Sequence, residues 1–142
     1  MKYLFYLGHP AHYHLFKEII KILNKNNSVI IFIKKKDVLE ELLKNEGWDY
    51  FNVYPKERKV GKFSIALSLL IRETSIFKKI YNNIPKLMIG TSAEITHLGK
   101  LLRVASVVVN EDDAEQVPLF SKLAYPFANS ILAPSSCSTS KW

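Results

Sequence analysis

Histidines are concentrated at one point of the sequence, in a pattern that could serve catalysis or metal binding. The segment GHPAHYHLF at 8–16 holds three of the four histidines and directly follows the apolar run YLFYL, which is typical of a strand. Imidazole nitrogens bind metal ions, transfer protons and form hydrogen bonds with substrates. A metal shared by His12 and His14 is not expected, because residues two apart on a helix point about 200° away from each other. No metal site is therefore predicted.

Pro10 favours the first position of a helix, which places His12 in the first turn. There the helix dipole favours a neutral imidazole, and a neutral imidazole can accept a proton. We predict that His12 binds a substrate hydroxyl or acts as a general base. We also predict that His9 lines the same cleft and that His14 packs against the domain or faces solvent.

A second polar cluster, NEDDAEQ at 110–116, follows the apolar run ASVVV. Pro118 has no amide hydrogen to donate, so the next helix is predicted to start near it. About seven residues would then connect strand and helix, which is long for such a connection and favours a functional loop. We predict that Asp112, Asp113 and Glu115 bind substrate. The alternative is that these carboxylates only complement the helix dipole.

The segment GTSAE at 90–94 has features of an anion-binding loop. Gly90 allows a close backbone turn, and the helix start that follows exposes amide donors beside Thr91 and Ser92. These three residues are included in the predicted substrate site. The alternative is structural, because Thr91 and Glu94 have the spacing of a capping box.

Six strand-like runs alternate with helical patterns along the chain. The runs are at 2–7, 28–33, 50–54, 86–89, 105–109 and 130–133. Nearly all-apolar strands separated by helices predict a six-stranded parallel sheet between helix layers, which is a Rossmann-like, three-layer α/β domain. With the usual strand order 3-2-1-4-5-6, the loops after strands one, four and five meet at the carboxyl edge, where ligands bind.

The helical patterns predict which side chains face the sheet. The third helix, predicted at 62–82, carries a wider apolar stripe than one sheet face requires, including Leu67 and Leu70. The second is predicted to be capped by Asp37 and ended by Gly47. The stripe on the first helix consists of Leu15, Phe16, Ile19, Ile20 and Leu23.

The signatures of common dinucleotide, receiver and P-loop sites are missing from the sequence. A dinucleotide fingerprint needs G-x-G-x-x-G after the first strand and an acid near the end of the second, but this chain has Gly8 alone and lysines at 34–36. The third strand ends in YPK rather than in the aspartate of a receiver domain, and no P-loop signature is present. No cofactor is predicted.

The composition is that of one globular domain with a basic surface. The chain has 142 residues, of which 48% are hydrophobic and 23% charged. Its net charge is +7, but many lysines occur singly on predicted helix faces, so nucleic acid is not an expected partner.

No apolar run approaches the roughly 20 residues that span a bilayer. The amino terminus lacks a signal-peptide pattern, and the single cysteine, Cys137, fits a reducing cytosol.

Three segments together resemble the amino-terminal half of GT-B glycosyltransferases: GHPAHYHLF, GTSAE and NEDDAEQVPLFSKLAYPFANSILAPSS. The chain looks most similar to an archaeal and bacterial family with a D-x-E pattern followed by P-F-A before the sixth strand. It is also similar to the peptidoglycan N-acetylglucosaminyltransferase and to UDP-N-acetylglucosamine 2-epimerase. The resemblance places His12 where the family's first glycine-rich loop ends in histidine. It gives Glu111 the acidic place of a His-Glu pair, with Asn110 replacing the histidine, and implies sugar orientation or proton transfer by Glu111.

A GT-B enzyme needs two Rossmann-like domains. The resemblance implies that residues 1–134 form the acceptor-side domain and that residues 135–142 begin an interdomain linker. The nucleotide-sugar donor would bind through a carboxyl-terminal domain that this sequence does not contain. The chain alone is therefore expected to be inactive as a glycosyltransferase and to bind nucleotide sugars weakly.

The resemblance also implies an acceptor, which would be a sugar or a lipid-linked molecule. A basic loop beside the over-apolar third helix would suit a phosphate-bearing acceptor or the inner face of the membrane, on an otherwise cytoplasmic protein. The alternative is a solvated loop beside a buried helix. The basic residues are Lys56, Arg58, Lys59 and Lys62.

Two other functions stay open on the sequence. An epimerase has the same architecture and also draws on carboxylates from this half. A non-catalytic module that binds an anionic ligand or RNA would account for the charge alone.

Overall fold

A computed structural model describes residues 1–34, 37–53 and 62–142. The strands are β1 (Lys2–Leu7), β2 (Ser28–Ile33), β3 (Tyr50–Asn52), β4 (Leu87–Gly90), β5 (Ala105–Val109) and β6 (Ser130–Leu132). The helices are α1 (Pro10–Asn24), α2 (Asp37–Asn45), α3 (Lys62–Ile80), α4 (Ala93–Leu102) and α5 (Pro118–Ala124), followed by one 3-10 turn at Tyr125–Phe127.

The six strands form one parallel sheet in the order β3-β2-β1-β4-β5-β6. The predicted Rossmann-like fold and strand order are confirmed. β1 and β4 are neighbours although α1, α2 and α3 separate them in sequence, so the chain reverses its direction of winding between them. The loops that follow β1, β4 and β5 therefore share the carboxyl edge of the sheet.

Alternation along the strands divides the core into two layers. On one face, α1 and α2 cover the sheet; on the other, α3, α4 and α5 do. The first layer is built from Phe5, Leu7, Ile31 and Ile33 with Phe16, Ile20, Leu39 and Leu43. The second contains Leu4, Tyr6, Phe32 and Met88 with Ile76, Ile80, Ile95 and Leu98.

Part of the predicted stripe on α1 is not buried. Phe16 and Ile20 are in the core, but Leu15 and Ile19 are 44% and 48% exposed. The two exposed side chains line a shallow apolar groove with Val109 of β5 and Leu132 of β6. The prediction was wrong for them because α1 packs mainly over β1 and β2, which leaves its far flank beside a part of the sheet that no described helix covers.

The apolar stripe on α3 is wide because only part of it is buried against the sheet. Ile76 and Ile80 are fully buried, whereas Leu67 and Leu70 are exposed. The carboxyl-terminal half of α3 thus supplies the core contact, and part of its amino-terminal half presents apolar side chains to solvent. The predicted cap of α2 by Asp37 lies outside the described side chains.

A histidine on α4 ties together the three helices of the second layer. His97 Nδ1 lies 2.5 Å from the Glu73 carboxylate of α3, and Nε2 lies 2.7 Å from the carbonyl oxygen of Leu123 in α5. Both partners are acceptors, so both ring nitrogens donate and the ring is an imidazolium. The hydrogen bond to Glu73 is the main reason that the pKa of His97 is raised, against the opposing effect of burial.

We expect the free energy of unfolding to fall as the pH rises through the folded-state pKa of His97. Because that pKa lies above the ordinary value of about 6.5, the stabilisation is complete below pH 6.5 and is lost at higher pH. His97→Gln should remove most of this dependence and cost about 1–3 kcal/mol at pH 6. Urea unfolding between pH 5.5 and 9 measures it, with the exposed His14 as matched control through His14→Gln. Equal pH profiles for His97→Gln and wild type would contradict the assignment.

Gly90 ends β4 at a point where the backbone of β1 leaves no room for a side chain. Its φ is 158°, and a Cβ atom there would lie 2.4 Å from the backbone oxygen of Tyr6. Gly47, just after α2, also has a positive φ, of 69°, but a Cβ atom there would meet no atom of the described residues within 4 Å. A side chain at Gly47 would thus carry only the conformational cost of a positive φ, whereas a side chain at Gly90 would also clash with β1.

Gly90→Ala should destabilise the domain by about 3 kcal/mol or more, because the strand pair must separate to admit the methyl group. Gly47→Ala should cost only about 1–2 kcal/mol, the penalty of a left-handed conformation. Urea denaturation of both variants measures the difference. Losses of the same size would mean that β4 does not approach β1 as closely as described.

Candidate functional site

Two of the three clustered histidines begin α1. His9 is the N-cap, and its Nδ1 accepts a hydrogen bond from the amide of Ala11 at 3.2 Å. His12 Nδ1 accepts in turn from the amides of His9, at 3.1 Å, and Gly8, at 3.0 Å. The pair forms a capping box built from imidazoles. Helix initiation is therefore one reason for histidine at both positions.

His12 also joins the loops after β1 and β4. Thr91 Oγ1 lies 2.9 Å from His12 Nδ1. Backbone amides can only donate, so Nδ1 is unprotonated, the Thr91 hydroxyl donates as well, and a neutral ring carries its proton on Nε2. In this arrangement His12 offers an N–H donor at Nε2. Because Nε2 already carries the proton, His12 could accept another proton only at Nδ1, and the contacts at Nδ1 would then have to break.

A cavity of about 200 Å³ at the carboxyl edge of the sheet is lined by four of the predicted site residues. It brings His12, Thr91, Glu111 and Asp112 together from the loops after β1, β4 and β5. Glu111 and Asp112 are exposed, whereas His12 and Thr91 are half-buried. We call this the His12 cavity. Its other lining residues are Val109, Asn110, Val117 and Phe120.

Asn110 fixes the loop that carries the two acids. It is buried, and its amide nitrogen donates to the carbonyl oxygen of Asp112 at 2.6 Å and to the Tyr125 hydroxyl at 2.8 Å. Its own backbone amide donates to the carbonyl oxygen of Leu132 in β6. Both side-chain N–H groups of Asn110 are thus used in bracing the loop, a role that the sequence did not predict.

Two other residues that were predicted to bind substrate, Asp113 and Glu115, contact the end of the chain. Asp113 accepts a hydrogen bond from the amide of Ser138 at 2.7 Å, and Glu115 accepts one from the Ser138 hydroxyl at 3.2 Å. The segment predicted as the start of a linker, 135–142, is therefore folded against the loop after β5. Neither carboxylate is among the described residues that line the His12 cavity.

A larger cavity of about 370 Å³ lies beside the first, between α3, α4 and α5. We call it the α4 cavity. It shares His12, Thr91 and Phe120 with the His12 cavity and adds the buried residues Ser92 and Glu94. The rest of its lining consists of Tyr6, Gly8, Lys34, Ile65, Leu69, Arg72, Ala93, Leu119 and Leu123.

The capping box of Thr91 and Glu94, which was the structural alternative for this segment, is not formed. The N-cap of α4 is Ser92, and its side chain makes no capping hydrogen bond. The Glu94 carboxylate pairs with the Arg72 guanidinium of α3, and both side chains are largely buried. An ion pair across two helices has displaced the local cap.

The remaining predicted residues fall into three groups. His9 and His14 are exposed, and neither lines the two cavities; His14 contacts the Tyr13 ring edge to face. Gly90 packs against β1 and is not a lining residue either. The side chain of Lys62 and the whole of Lys56, Arg58 and Lys59 lie outside the described part.

Across 1–34, 37–53 and 62–142, no group of three His, Cys, Asp or Glu side chains could hold a metal ion. No helix in those ranges has the length and apolarity to cross a membrane.

No protein-family model matches the sequence, and no curated protein matches it. Solved structures do. UDP-GlcNAc 2-epimerase from Neisseria meningitidis, bound to UDP-GlcNAc, is similar with a TM-score of 0.71 and 11% identity, over 94% of this chain and 40% of that one. MurG of Acinetobacter baumannii is similar with a TM-score of 0.66 and 13% identity, over 97% and 44%.

A third similar structure is the spinosyn rhamnosyltransferase SpnG complexed with thymidine diphosphate, with a TM-score of 0.68 and 15% identity, over 94% of this chain and 45% of that one. The chain thus spans less than half the length of the structures it matches. At these identities the similarity concerns the fold. The chain has the fold of one Rossmann-like half of the GT-B proteins.

Proposed function

We propose that the chain is the acceptor-binding half of a nucleotide-sugar-dependent GT-B glycosyltransferase. The observation that carries the proposal is the His12 cavity, where an imidazole N–H and two accessible carboxylates meet at the ligand-binding edge of the sheet. The donor would bind in a second Rossmann-like domain of a longer protein. The similar structures, bound to UDP-GlcNAc or thymidine diphosphate, support this donor class.

In this proposal His12 and Glu111 have different roles. His12 donates a hydrogen bond from Nε2 to the acceptor oxygen and orients it. Glu111 takes the hydroxyl proton while that oxygen forms a bond with the anomeric carbon of the donor. The bond from the anomeric carbon to phosphate breaks at the same time, and the nucleoside diphosphate leaves with the electron pair. Asp112 helps to hold the sugar hydroxyls.

The second candidate is half of a UDP-sugar 2-epimerase, which the similarity to the Neisseria meningitidis enzyme favours. The same carboxylates would then move a proton on the donor sugar itself. The requirement for an acceptor distinguishes the two reactions, because a transferase needs an acceptor substrate and an epimerase does not.

The basic loop and α3 support a peripheral membrane contact for a cytoplasmic protein. Leu67, Leu70 and Ile71 are exposed on α3, directly after the residues predicted to bind an anionic surface. Apolar side chains beside a basic segment suit the interface of an anionic bilayer. A lipid-linked acceptor would be reached from there, whereas nucleic acid is not part of the proposal.

Activity of the complete gene product tests these roles. Glu111→Gln should lower turnover by about 10²–10⁴-fold, because the amide cannot accept the proton. His12→Ala should lower it by about 10²-fold, while His12→Gln, which keeps an N–H donor, should lose less. His14→Ala is the matched control and should change turnover little. The measurement is release of nucleoside diphosphate from UDP- and TDP-sugars with a panel of sugar and lipid-linked acceptors.

Full activity of Glu111→Gln, or equal losses from His12→Ala and His14→Ala, would contradict the proposed roles. Conversion of the UDP-sugar to its 2-epimer without any acceptor would favour the epimerase. Calorimetry on the 142-residue chain should show only weak binding of UDP-sugars, since the donor pocket is assigned to the other domain. Micromolar binding to this chain would overturn the two-domain proposal.

A further inference from the structure

We propose that the α4 cavity binds an uncharged, hydroxyl-rich ligand, a sugar ring, rather than a phosphate. As the subsite for the acceptor, this assignment rests on the proposed function. As a binding site for a neutral sugar, it stands on the cavity itself. Three features carry it: a compensated helix terminus, an unpartnered buried hydroxyl and an apolar wall.

The positive terminus of α4 is already compensated by the chain's own carboxylate. Glu94 lies in the first turn, is 3% exposed and pairs with Arg72. An anion placed at a helix N-terminus gains from the dipole and the free amides. Here a phosphate would gain less from the dipole and the amides, because the Glu94 carboxylate already lies beside them in the first turn.

The floor of the cavity is suited to hydroxyl groups. Ser92 is 6% exposed, and within the described residues its Oγ has no hydrogen-bond partner. Such a buried hydroxyl can both donate to and accept from a sugar hydroxyl. Burial, with the nearby Glu94 charge, raises the pKa of Tyr6, so its phenol also remains protonated. The paired Glu94 carboxylate still has acceptor positions beyond the one that Arg72 uses.

The wall of the cavity is apolar and comes from α3 and α5. Leu69 lies on one side, and Leu119, Phe120 and Leu123 lie on the other. A sugar ring presents C–H groups on its faces and hydroxyls at its edge, so an apolar wall beside a polar floor matches both. The volume of about 370 Å³ is within the range of small-molecule sites, about 300–1,000 Å³.

The position of the cavity links it to the proposed chemistry. His12 and Thr91 line both the α4 cavity and the His12 cavity. A ring seated over Ser92 would therefore extend a hydroxyl toward the Nε2–H of His12 and the Glu111 carboxylate. The α4 cavity would select the acceptor, and the His12 cavity would activate its hydroxyl.

Amide NMR shifts of the ¹⁵N-labelled 142-residue chain test the assignment. The probes are inorganic phosphate and the neutral methyl glycosides of glucose, galactose, mannose and N-acetylglucosamine. At least one glycoside should shift the amides of residues 92–95 with millimolar affinity, and phosphate should not. Ser92→Ala should weaken that glycoside about 3- to 10-fold, the effect of losing a neutral hydrogen bond. Ser130→Ala, an exposed serine on β6, is the matched control and should leave the affinity unchanged.

Glu94→Gln should reverse the preference, because the helix terminus and Arg72 would then lack this negative charge. Phosphate should shift the amides of residues 92–95 in this variant. If the variant fails to fold, Ser92→Ala still decides, since its hydroxyl has no hydrogen bond within the described residues to lose. Phosphate binding by wild type at these amides, no response to any glycoside, or unchanged affinity in Ser92→Ala would each overturn the assignment. Because turnover is not measured here, such a result leaves the transferase proposal to its own test.

Discussion

The site depends on one ring nitrogen, Nδ1 of His12. It accepts hydrogen bonds from the amides of Gly8 and His9 and from the hydroxyl of Thr91, so it closes the first turn of α1 and joins it to the loop after β4. β1 and β4 are adjacent only because the sheet reverses its winding between them. Because the sheet places these two loops side by side, the hydrogen bonds at Nδ1 can fix the position of the imidazole. A ring held in this way presents an N–H donor at Nε2 and cannot act as a base while these hydrogen bonds persist.

Around that ring, polar side chains divide into those that build the site and those that face a ligand. The side chain of Asn110 donates a hydrogen bond within the loop after β5. Asp113 and Glu115 of the same loop accept hydrogen bonds from Ser138, near the end of the chain. Glu111 and Asp112 line the cavity with their carboxylates accessible. The hydrogen-bonded members of the acidic loop thus help to position the accessible ones, which is how a loop on a sheet edge can carry a site.

Sequence periodicity was sufficient for the fold because strands and helices are local patterns. Alternating apolar runs predicted the sheet, and Pro10 and Pro118 marked the starts of α1 and α5 correctly. The partners of charged residues were not predictable, since Arg72 meets Glu94 across 22 positions and depends on how α3 crosses α4. A local cap was the alternative role for Glu94, and a substrate-binding role was predicted for Asp113. Both carboxylates have a partner distant in sequence, Arg72 and Ser138, and no local pattern indicates such a partner.

The most direct test is the tautomer of His12, read from long-range ¹H–¹⁵N NMR spectra of the 142-residue chain labelled in its histidine rings. Protonated and bare ring nitrogens have well-separated ¹⁵N shifts. At pH 8, His12 should show a single tautomer with hydrogen on Nε2 and a bare Nδ1. His14, which is exposed, provides an averaged reference in the same spectrum. Hydrogen on Nδ1 of His12, or the same averaged shifts as His14, would contradict the junction on which the site is built.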